Sequence, residues 1–154
     1  MTRRVLSILA LLVFLVVGCD SNDDDPSDAE RFVGTWLATG IRDSNGDQSA
    51  ELVALVNSLT AVFEAGDENP AFLITVDYKD DSGREDLTLP GTYAVDDGAR
   101  TLTLTTLIGA SLPFMYAFQS DTQVSLSASS AFINPIFNPS TPYEGTVTIT
   151  VQKQ

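Results

Sequence analysis

Most of the chain after residue 31 alternates between hydrophobic and polar residues with a period of two. In "VTITVQ" (147–152) and "TLTLTT" (101–106), Val, Ile or Leu alternate with Thr or Gln. This alternation, in segments rich in β-branched residues, is typical of strands with one buried face. The pattern predicts eight strands, at residues 35–42, 58–64, 72–79, 91–95, 101–106, 112–119, 123–128 and 147–152.

Short turn sequences separate most of these strands. "DSNGD" (43–47), "DDSGR" (80–84) and "DDGAR" (96–100) contain the Asp, Asn and Gly residues that favour turns. Connections of this length are too short for parallel crossovers, so we expect antiparallel neighbours. Two segments break the pattern. Residues 49–59 are expected to begin as a short helix with Ser49 as its cap, and residues 129–145, with three prolines, are predicted to be a long loop.

The strand pattern predicts an all-β protein. Eight antiparallel strands, with no helices to protect a sheet edge, favour a sheet that closes on itself. We therefore predict a single up-and-down β-barrel of about eight strands, formed by one domain at residues 31–154. An open β-sandwich is the structural alternative.

Two segments of the predicted barrel resemble the lipocalins. "RFVGTWLAT" (31–39) is similar to the G-x-W opening strand of that family, and "GTYAVDDGARTLTLTT" (91–106) resembles the central hairpin of lipocalin-like domains in bacterial lipoproteins. The resemblance implies a calycin-type barrel in which Trp36 closes the base. It also implies a basic residue near the last strand that packs on the tryptophan. Lys153 is the late candidate here, where the family usually has arginine.

The start of the chain has the features of a secretory signal. Arg3 and Arg4 precede an apolar run at residues 5–17 that is interrupted only by Ser7. This run is shorter than the roughly 20 apolar residues of a membrane-spanning helix, so it is predicted to be a cleaved signal peptide at residues 1–18. The sequence "VVGC" that ends at Cys19 resembles a bacterial lipobox. The resemblance implies that Cys19 is lipidated and becomes the first residue of the mature protein.

An acidic segment follows Cys19. "DSNDDDPSDAE" (20–30) has six acidic residues and no large apolar residue, so residues 19–30 are predicted to be a flexible tether. Several acyl chains on one residue would hold the protein firmly on a bilayer. We therefore expect a lipid-anchored protein of the cell envelope. The outer membrane is the expected location, and the alternative is the inner membrane, because Asp20 directly after the cysteine resembles the retention signal of enteric lipoproteins. The acidic tether also resembles that of surface-exposed lipoproteins, and the sequence does not decide which leaflet carries the anchor.

The charge of the chain excludes one class of partner. Removal of residues 1–18 leaves six Lys and Arg against 21 Asp and Glu, a net charge of 15 negative. Nucleic-acid binding needs a basic surface for phosphate contacts, so no nucleic-acid partner is expected. The protein partner, if there is one, is unknown from the sequence.

The residue types also argue against catalysis. The chain has no His, and Cys19 is its only cysteine. Ser-His and Cys-His nucleophiles and the usual zinc sites are therefore excluded. Carboxylate chemistry or a calcium site is left, but the acidic segments 43–47 and 77–86 lack the spacing of a calcium loop and are better interpreted as solvated turns. We expect no enzyme, no catalytic residue, no metal and no cofactor.

One predicted strand carries the densest aromatic face. In "SLPFMYAFQ" (111–119), alternation places Phe114, Tyr116 and Phe118 on one side. Ligand pockets are mostly apolar and aromatic, with a few polar groups. The residues predicted to bind a small apolar ligand are Phe72, Tyr78, Tyr93, Phe114, Tyr116 and Phe118. The alternative is a barrel filled by these side chains, which would act through its acidic surface as a structural or interaction protein of the envelope.

Overall fold

A computed structural model of the chain describes residues 25–154. Cys19, the predicted signal peptide and most of the predicted tether lie outside these residues. The strands are β1 (Gly34–Asp43), β2 (Gly46–Asp47), β3 (Val56–Phe63), β4 (Ala71–Tyr78), β5 (Leu87–Asp96), β6 (Thr101–Thr106), β7 (Ser111–Ser120), β8 (Gln123–Ser129) and β9 (Thr146–Lys153). The helices are α1 (Asp28–Phe32), α2 (Ser49–Leu55) and α3 (Ser130–Phe137), with a single 3₁₀ turn at Asp80–Ser82.

The eight long strands form a closed antiparallel barrel. Each pairs with its neighbour in the order β1, β3, β4, β5, β6, β7, β8, β9, and β1 also pairs with β9 along the register Trp36 opposite Lys153 to Arg42 opposite Thr148. The two-residue strand β2 is added beside β1. This strand order confirms the predicted all-β, up-and-down barrel. Alternation along the strands places Val, Leu and Ile on its inner face.

The two ends of the barrel are built differently. At the first, which we call the closed end, α1 lies across the start of β1, near the β5–β6 turn and the end of β9. At the second, which we call the groove end, α3 lies beside the β6–β7 turn, and α2 lies against β1 and β3. No helix among residues 25–154 is long and apolar enough to cross a membrane.

Helix α1 corrects the predicted boundary of the tether. Residues 28–30 were assigned to a flexible segment, but they form the first turn of α1. The Ser27 side chain accepts a hydrogen bond from the Glu30 N–H, and the Glu30 carboxylate accepts one from the Ser27 N–H at 2.7 Å. This capping box, together with burial of Phe32 at the other end of the helix, orders the segment.

The other two helices also differ in part from prediction. Helix α2 starts at Ser49 as expected, but its cap position is Gln48, and the Ser49 hydroxyl instead hydrogen-bonds Asp47 Oδ1 at 2.6 Å. The segment 129–145 is not a continuous loop, since its first half forms α3. Ser129 caps α3, and Asn138, with φ of 41°, ends it.

Candidate functional site

Aromatic side chains fill the closed end of the barrel. Phe32 lies at their centre, with ring centroids 5.0 Å from Phe118, 5.1 Å from Tyr116 and 6.3 Å from Trp36. Phe63 continues the cluster from Phe32 to Tyr93. Tilted and edge-to-face ring contacts add to the burial of the rings, so these aromatic side chains form core packing at this end.

Trp36 has a specific place in this cluster. Its side chain is 1% exposed, and its indole N–H donates a hydrogen bond of 2.6 Å to the Phe32 carbonyl. The Lys153 ammonium lies 5.4 Å from the indole ring centroid and donates to the Arg31 carbonyl at 3.0 Å. Trp36 and Lys153 therefore join α1 and the last strand at the base of the barrel.

Tyr116 is bound to α1 rather than open to a pocket. Its hydroxyl donates a 2.7 Å hydrogen bond to Asp28 Oδ2, which also accepts from Arg100 at 2.9 Å. Burial first, and then the Asp28 carboxylate, raises the pKa of the Tyr116 phenol above its ordinary value. The phenol is thus held protonated as a structural donor.

Five of the six residues predicted to bind a ligand do not line a cavity. Phe72, Tyr93, Tyr116 and Phe118 belong to the core near the closed end, and Tyr78 packs under α3. Phe114 alone among the six lines an interior cavity. The prediction grouped these residues by alternation, which identifies the inner face correctly but does not say at which level of the barrel each side chain lies.

The interior cavity is small. It has a volume of about 60 Å³ and an almost wholly apolar lining that includes Leu104, Phe114, Leu126 and Ile149 of the barrel and Ile133 of α3. Pockets that hold small molecules have volumes of about 300 to 1,000 Å³. The lumen as it stands is therefore filled by the protein's own side chains.

Two prolines end the strand ladders at the groove end. The Tyr93 N–H donates to the Pro70 carbonyl, so the backbone groups of Tyr93 face β4. Successive residues of a strand bond to opposite neighbours, so the backbone groups of Pro90, three residues earlier, face β6. Pro90 has no N–H, and its carbonyl accepts the last bond on this side, from Leu107. Pro113 of β7 likewise faces β8, where the ladder stops at Met115. The β6–β7 hairpin is thus separated from both neighbours near its tip.

A groove lies in the gap between β5 and this hairpin. It has a volume of about 590 Å³ and is bounded by α3 on its remaining side. Leu107 and Ile108, at the hairpin tip, are 79% and 92% exposed. The lining, which includes no ionisable residue, consists of Leu87, Thr88, Leu89, Pro90, Thr106, Leu107, Ile108, Ala110, Leu112, Ala131, Phe132, Pro135 and Ile136. Leu112 and Ile136 also line the interior cavity, so these two side chains form the wall between groove and lumen.

Helix α3 is fixed over the barrel by polar contacts at its C-terminal turn. Arg84 Nη1 donates to the Phe137 carbonyl at 2.7 Å, and the Tyr78 hydroxyl donates to the carbonyls of Ile136 and Phe137. The Asn134 side chain exchanges two hydrogen bonds with the backbone of Tyr143. The role of Tyr78 is therefore to position one wall of the groove.

The segment that follows α3 is tied to β1 by a buried carboxylate. Asp43 Oδ2 accepts from the Glu144 N–H at 2.9 Å, and Asp43 Oδ1 accepts from Asn45 and Gln48. The hydrogen bond from Glu144, supported by those from Asn45 and Gln48, holds the pKa of Asp43 below its ordinary value against the opposing effect of burial. Part of the acidic turn 43–47 is thus structural rather than solvated.

The groove was not predicted, although the sequence contains signals for its parts. Ser129 followed by Ile133, Ile136 and Phe137 has the cap and the i, i+3, i+4 spacing of an amphipathic helix. The prolines in the segment masked this pattern. Pro90 and Pro113 each interrupt a strand-like run and mark a point where pairing stops.

The described residues give little support to other kinds of site. Among residues 25–154 there is no group of three or more Asp, Glu, His or Cys side chains close enough to hold a metal ion. The groove, with about 590 Å³, is larger than two further surface pockets of about 300 and 320 Å³ and has a mostly apolar lining, so it is the candidate site.

Comparison with known proteins identifies the architecture. No family model matches the chain, and no curated protein matches it. Among solved structures, it is similar to a de novo designed fluorescence-activating β-barrel, with a TM-score of 0.52 and 14% sequence identity over 84% of this chain and 99% of that chain. The shared feature is the barrel fold.

Proposed function

We propose that the protein is a non-enzymatic envelope lipoprotein that binds a small apolar ligand in the groove between β5, the β6–β7 hairpin and α3. The observation that carries this proposal is the groove itself, which has the volume and the apolar lining of a small-molecule pocket. A designed barrel of similar architecture is described as fluorescence-activating, which supports the choice of a fluorescent probe.

The groove is a better site than the lumen. The lumen has about 60 Å³ of free volume, whereas the groove has about 590 Å³ and opens to solvent beside exposed Leu107 and Ile108. Leu112 and Ile136 line both spaces. A ligand in the groove would bury apolar surface, which stabilises the complex by about 25 cal/mol per Å² buried, and it would not have to displace core side chains first.

The proposal is tested by filling the groove from its rim. Ala110 lines the groove and is exposed, so Ala110→Trp adds a large side chain there without changing the backbone bonds between residues 106 and 110. We expect the domain at residues 25–154 to bind an environment-sensitive apolar dye with micromolar Kd. Fluorescence titration should then show at least about tenfold weaker binding for Ala110→Trp, a loss of roughly 1.4 kcal/mol or more.

The matched control is Ala99→Trp. Ala99 is exposed in the β5–β6 turn, at the closed end of the barrel, so this variant should bind the dye as the parent does. If the parent has no saturable site, or if both variants bind equally well, the groove is not the site. The filled-barrel alternative, in which the protein acts through its acidic surface, is favoured by the small lumen and would then take precedence.

The membrane anchor is a second part of the proposal and rests on the sequence around Cys19. The described chain enters the fold at the closed end through α1. An anchor on Cys19 would therefore join the barrel at the end opposite the groove.

Replacement of the proposed lipidated residue tests the anchor. Cys19→Ser removes the thiol that would carry the lipid, so cells expressing it should incorporate no labelled fatty acid into the protein and should keep the uncleaved precursor. Ser21→Ala, two residues later, serves as the control and should be labelled like the parent. Equal labelling of Cys19→Ser and the parent would exclude this anchor.

A further inference from the structure

The groove contains a backbone edge that the barrel does not use. In the β4–β5 pair, Tyr93 and Pro70 face each other in a hydrogen-bonded position. Hydrogen-bonded and non-hydrogen-bonded positions alternate along an antiparallel pair, so Thr75 and Thr88, which are opposite each other, do not bond to one another. The N–H and the carbonyl of Thr88 consequently face the side of β6. The β5–β6 register begins at Gly91, and the bond from the Leu107 N–H to the Pro90 carbonyl is the last one beyond it. No group among residues 25–154 hydrogen-bonds to the Thr88 backbone on this side.

The groove offers no charge to match this polar edge. None of its lining residues is ionisable, and the side-chain hydroxyls of Thr88 and Thr106 are the polar groups that the lining residues add. Arg31, Arg100 and Lys153 lie at the closed end, where they contact Asp28 or the Arg31 carbonyl. At the groove end, the Arg84 guanidinium is engaged with the carbonyl of Phe137, and Arg42 and Lys79 are not among the residues that line the groove.

Free backbone groups at Thr88 and a lining without ionisable residues together favour an uncharged polar head group on the ligand. Thr88 lies at the open side of the groove, so an ionised head there would exchange part of its hydration for one uncharged backbone group, with no counter-charge among the lining residues. An uncharged hydroxyl or amide can instead accept from the Thr88 N–H or donate to the Thr88 carbonyl, and an ester can accept, each at little desolvation cost.

From these observations we infer that the ligand is an uncharged amphiphile, with an apolar chain in the groove and one neutral hydrogen-bonding group at the backbone of Thr88. This inference rests on the proposed function and narrows it, because it excludes fatty acids and alkylammonium ions as preferred ligands.

The experiment compares head groups on one chain. Decanol, decanoate, decylammonium and decane are used to displace the apolar dye from the domain at residues 25–154. The titrations are made at pH 8 in about 0.3 M NaCl, so that long-range repulsion from the acidic surface is screened. We expect decanol to displace the dye at a concentration at least about tenfold lower than either ion, and about threefold to tenfold lower than decane.

Two variants locate the head group. Thr88→Pro removes the free N–H at an edge position where Pro90 shows that proline is accepted, and it should abolish the advantage of decanol over decane. Thr88→Val removes the hydroxyl but keeps the N–H, so it should retain most of that advantage. Should Thr88→Pro fail to fold, the head-group series on the parent and on Thr88→Val still decides the question.

The outcomes separate the two proposals. If the dye binds but decanoate or decylammonium competes as well as decanol, the inference about the head group is overturned and the apolar groove stands. If decanol has no advantage over decane, the polar contact at Thr88 is excluded. If the dye itself does not bind, the proposed function fails first.

Discussion

Two buried tyrosines show how the surroundings of one hydroxyl group decide its contribution to stability. The Tyr116 hydroxyl donates to the Asp28 carboxylate, whereas the Tyr143 hydroxyl, in a side chain that is 3% exposed, has no hydrogen-bond partner among residues 25–154. Burial raises the pKa of Tyr143 to about 12, so this phenol is neutral at ordinary pH.

These two hydroxyl groups give a matched pair of variants. Tyr116→Phe should lower the free energy of unfolding by about 1 to 2 kcal/mol, because it removes a hydrogen bond to a charged group that is mostly buried. Tyr143→Phe should cost nothing or stabilise by up to about 1 kcal/mol, since it removes an unpaired polar atom. Urea unfolding of both variants checks this expectation, and equal losses would contradict it.

Asp43 is a buried carboxylate whose ionisation should matter at low pH. Its folded pKa is lowered, chiefly by the Glu144 N–H, so its stabilising contribution is full above the ordinary aspartate pKa of about 3.9. That contribution is lost as the pH falls through the lower, folded pKa. Asp43→Asn cannot keep every acceptor, because one carboxylate oxygen becomes an N–H₂ donor.

We therefore expect Asp43→Asn to be less stable than the parent at pH 7 and to lose less additional stability below about pH 4. The measurement is a series of urea unfolding curves from neutral pH to about pH 2. Asp121→Asn, at a side chain that is 97% exposed, should show the pH profile of the parent. A parent-like profile for Asp43→Asn as well would show that this carboxylate does not anchor the segment after α3.

At the scale of the elements, β5 forms one wall of the groove, and its residue Gly91 packs closely against β4. A Cβ added to Gly91 would lie 2.6 Å from Cε1 of Phe72 and would also collide with the Thr105 carbonyl oxygen. The ring of Phe72, which is opposite Gly91 in the β4–β5 register, occupies the space that a side chain would need.

Gly91→Ala should therefore destabilise the barrel by about 1 to 3 kcal/mol through overpacking. Gly98→Ala is the control, because its added Cβ would meet nothing closer than Asp96 Oδ1 at 3.4 Å, and it should change stability by less than about 0.5 kcal/mol. Thermal unfolding monitored by circular dichroism distinguishes the two. A harmless Gly91→Ala would mean that β5 can shift away from β6.

The strands could be predicted because their signal is local. Alternation in 101–106 and 147–152 reports directly which face is buried, and the structure has these strands at Thr101–Thr106 and Thr146–Lys153. Helices α1 and α3 each have a local cap signal, but the acidic residues around α1 and the prolines in and after α3 are typical of flexible segments. Partners far along the chain, which the local pattern does not show, complete their order. Asp28 contacts Arg100 and Tyr116, and the end of α3 contacts Tyr78 and Arg84.

For the molecule as a whole, closure of the barrel followed from the number and spacing of the strands, but the site did not. The groove exists because the β5–β6 ladder ends at Pro90 and Leu107, and because α3 then crosses the opening. Each of these features depends on the register between residues far apart in the chain. The hydrophobic pattern within one segment does not predict that register.

The pairing of β1 with β9 also sets the order of folding. It joins residues 36–42 to residues 148–153, so no shorter piece of the chain can complete the ring. Contacts of such long range make folding slow, on the order of milliseconds to seconds. Until Thr146–Lys153 has been synthesised and docked, β1 and β8 each lack a neighbour and present an open edge to other chains. Aggregation is therefore a hazard of the unfinished chain, and the last eight residues of the barrel remove it.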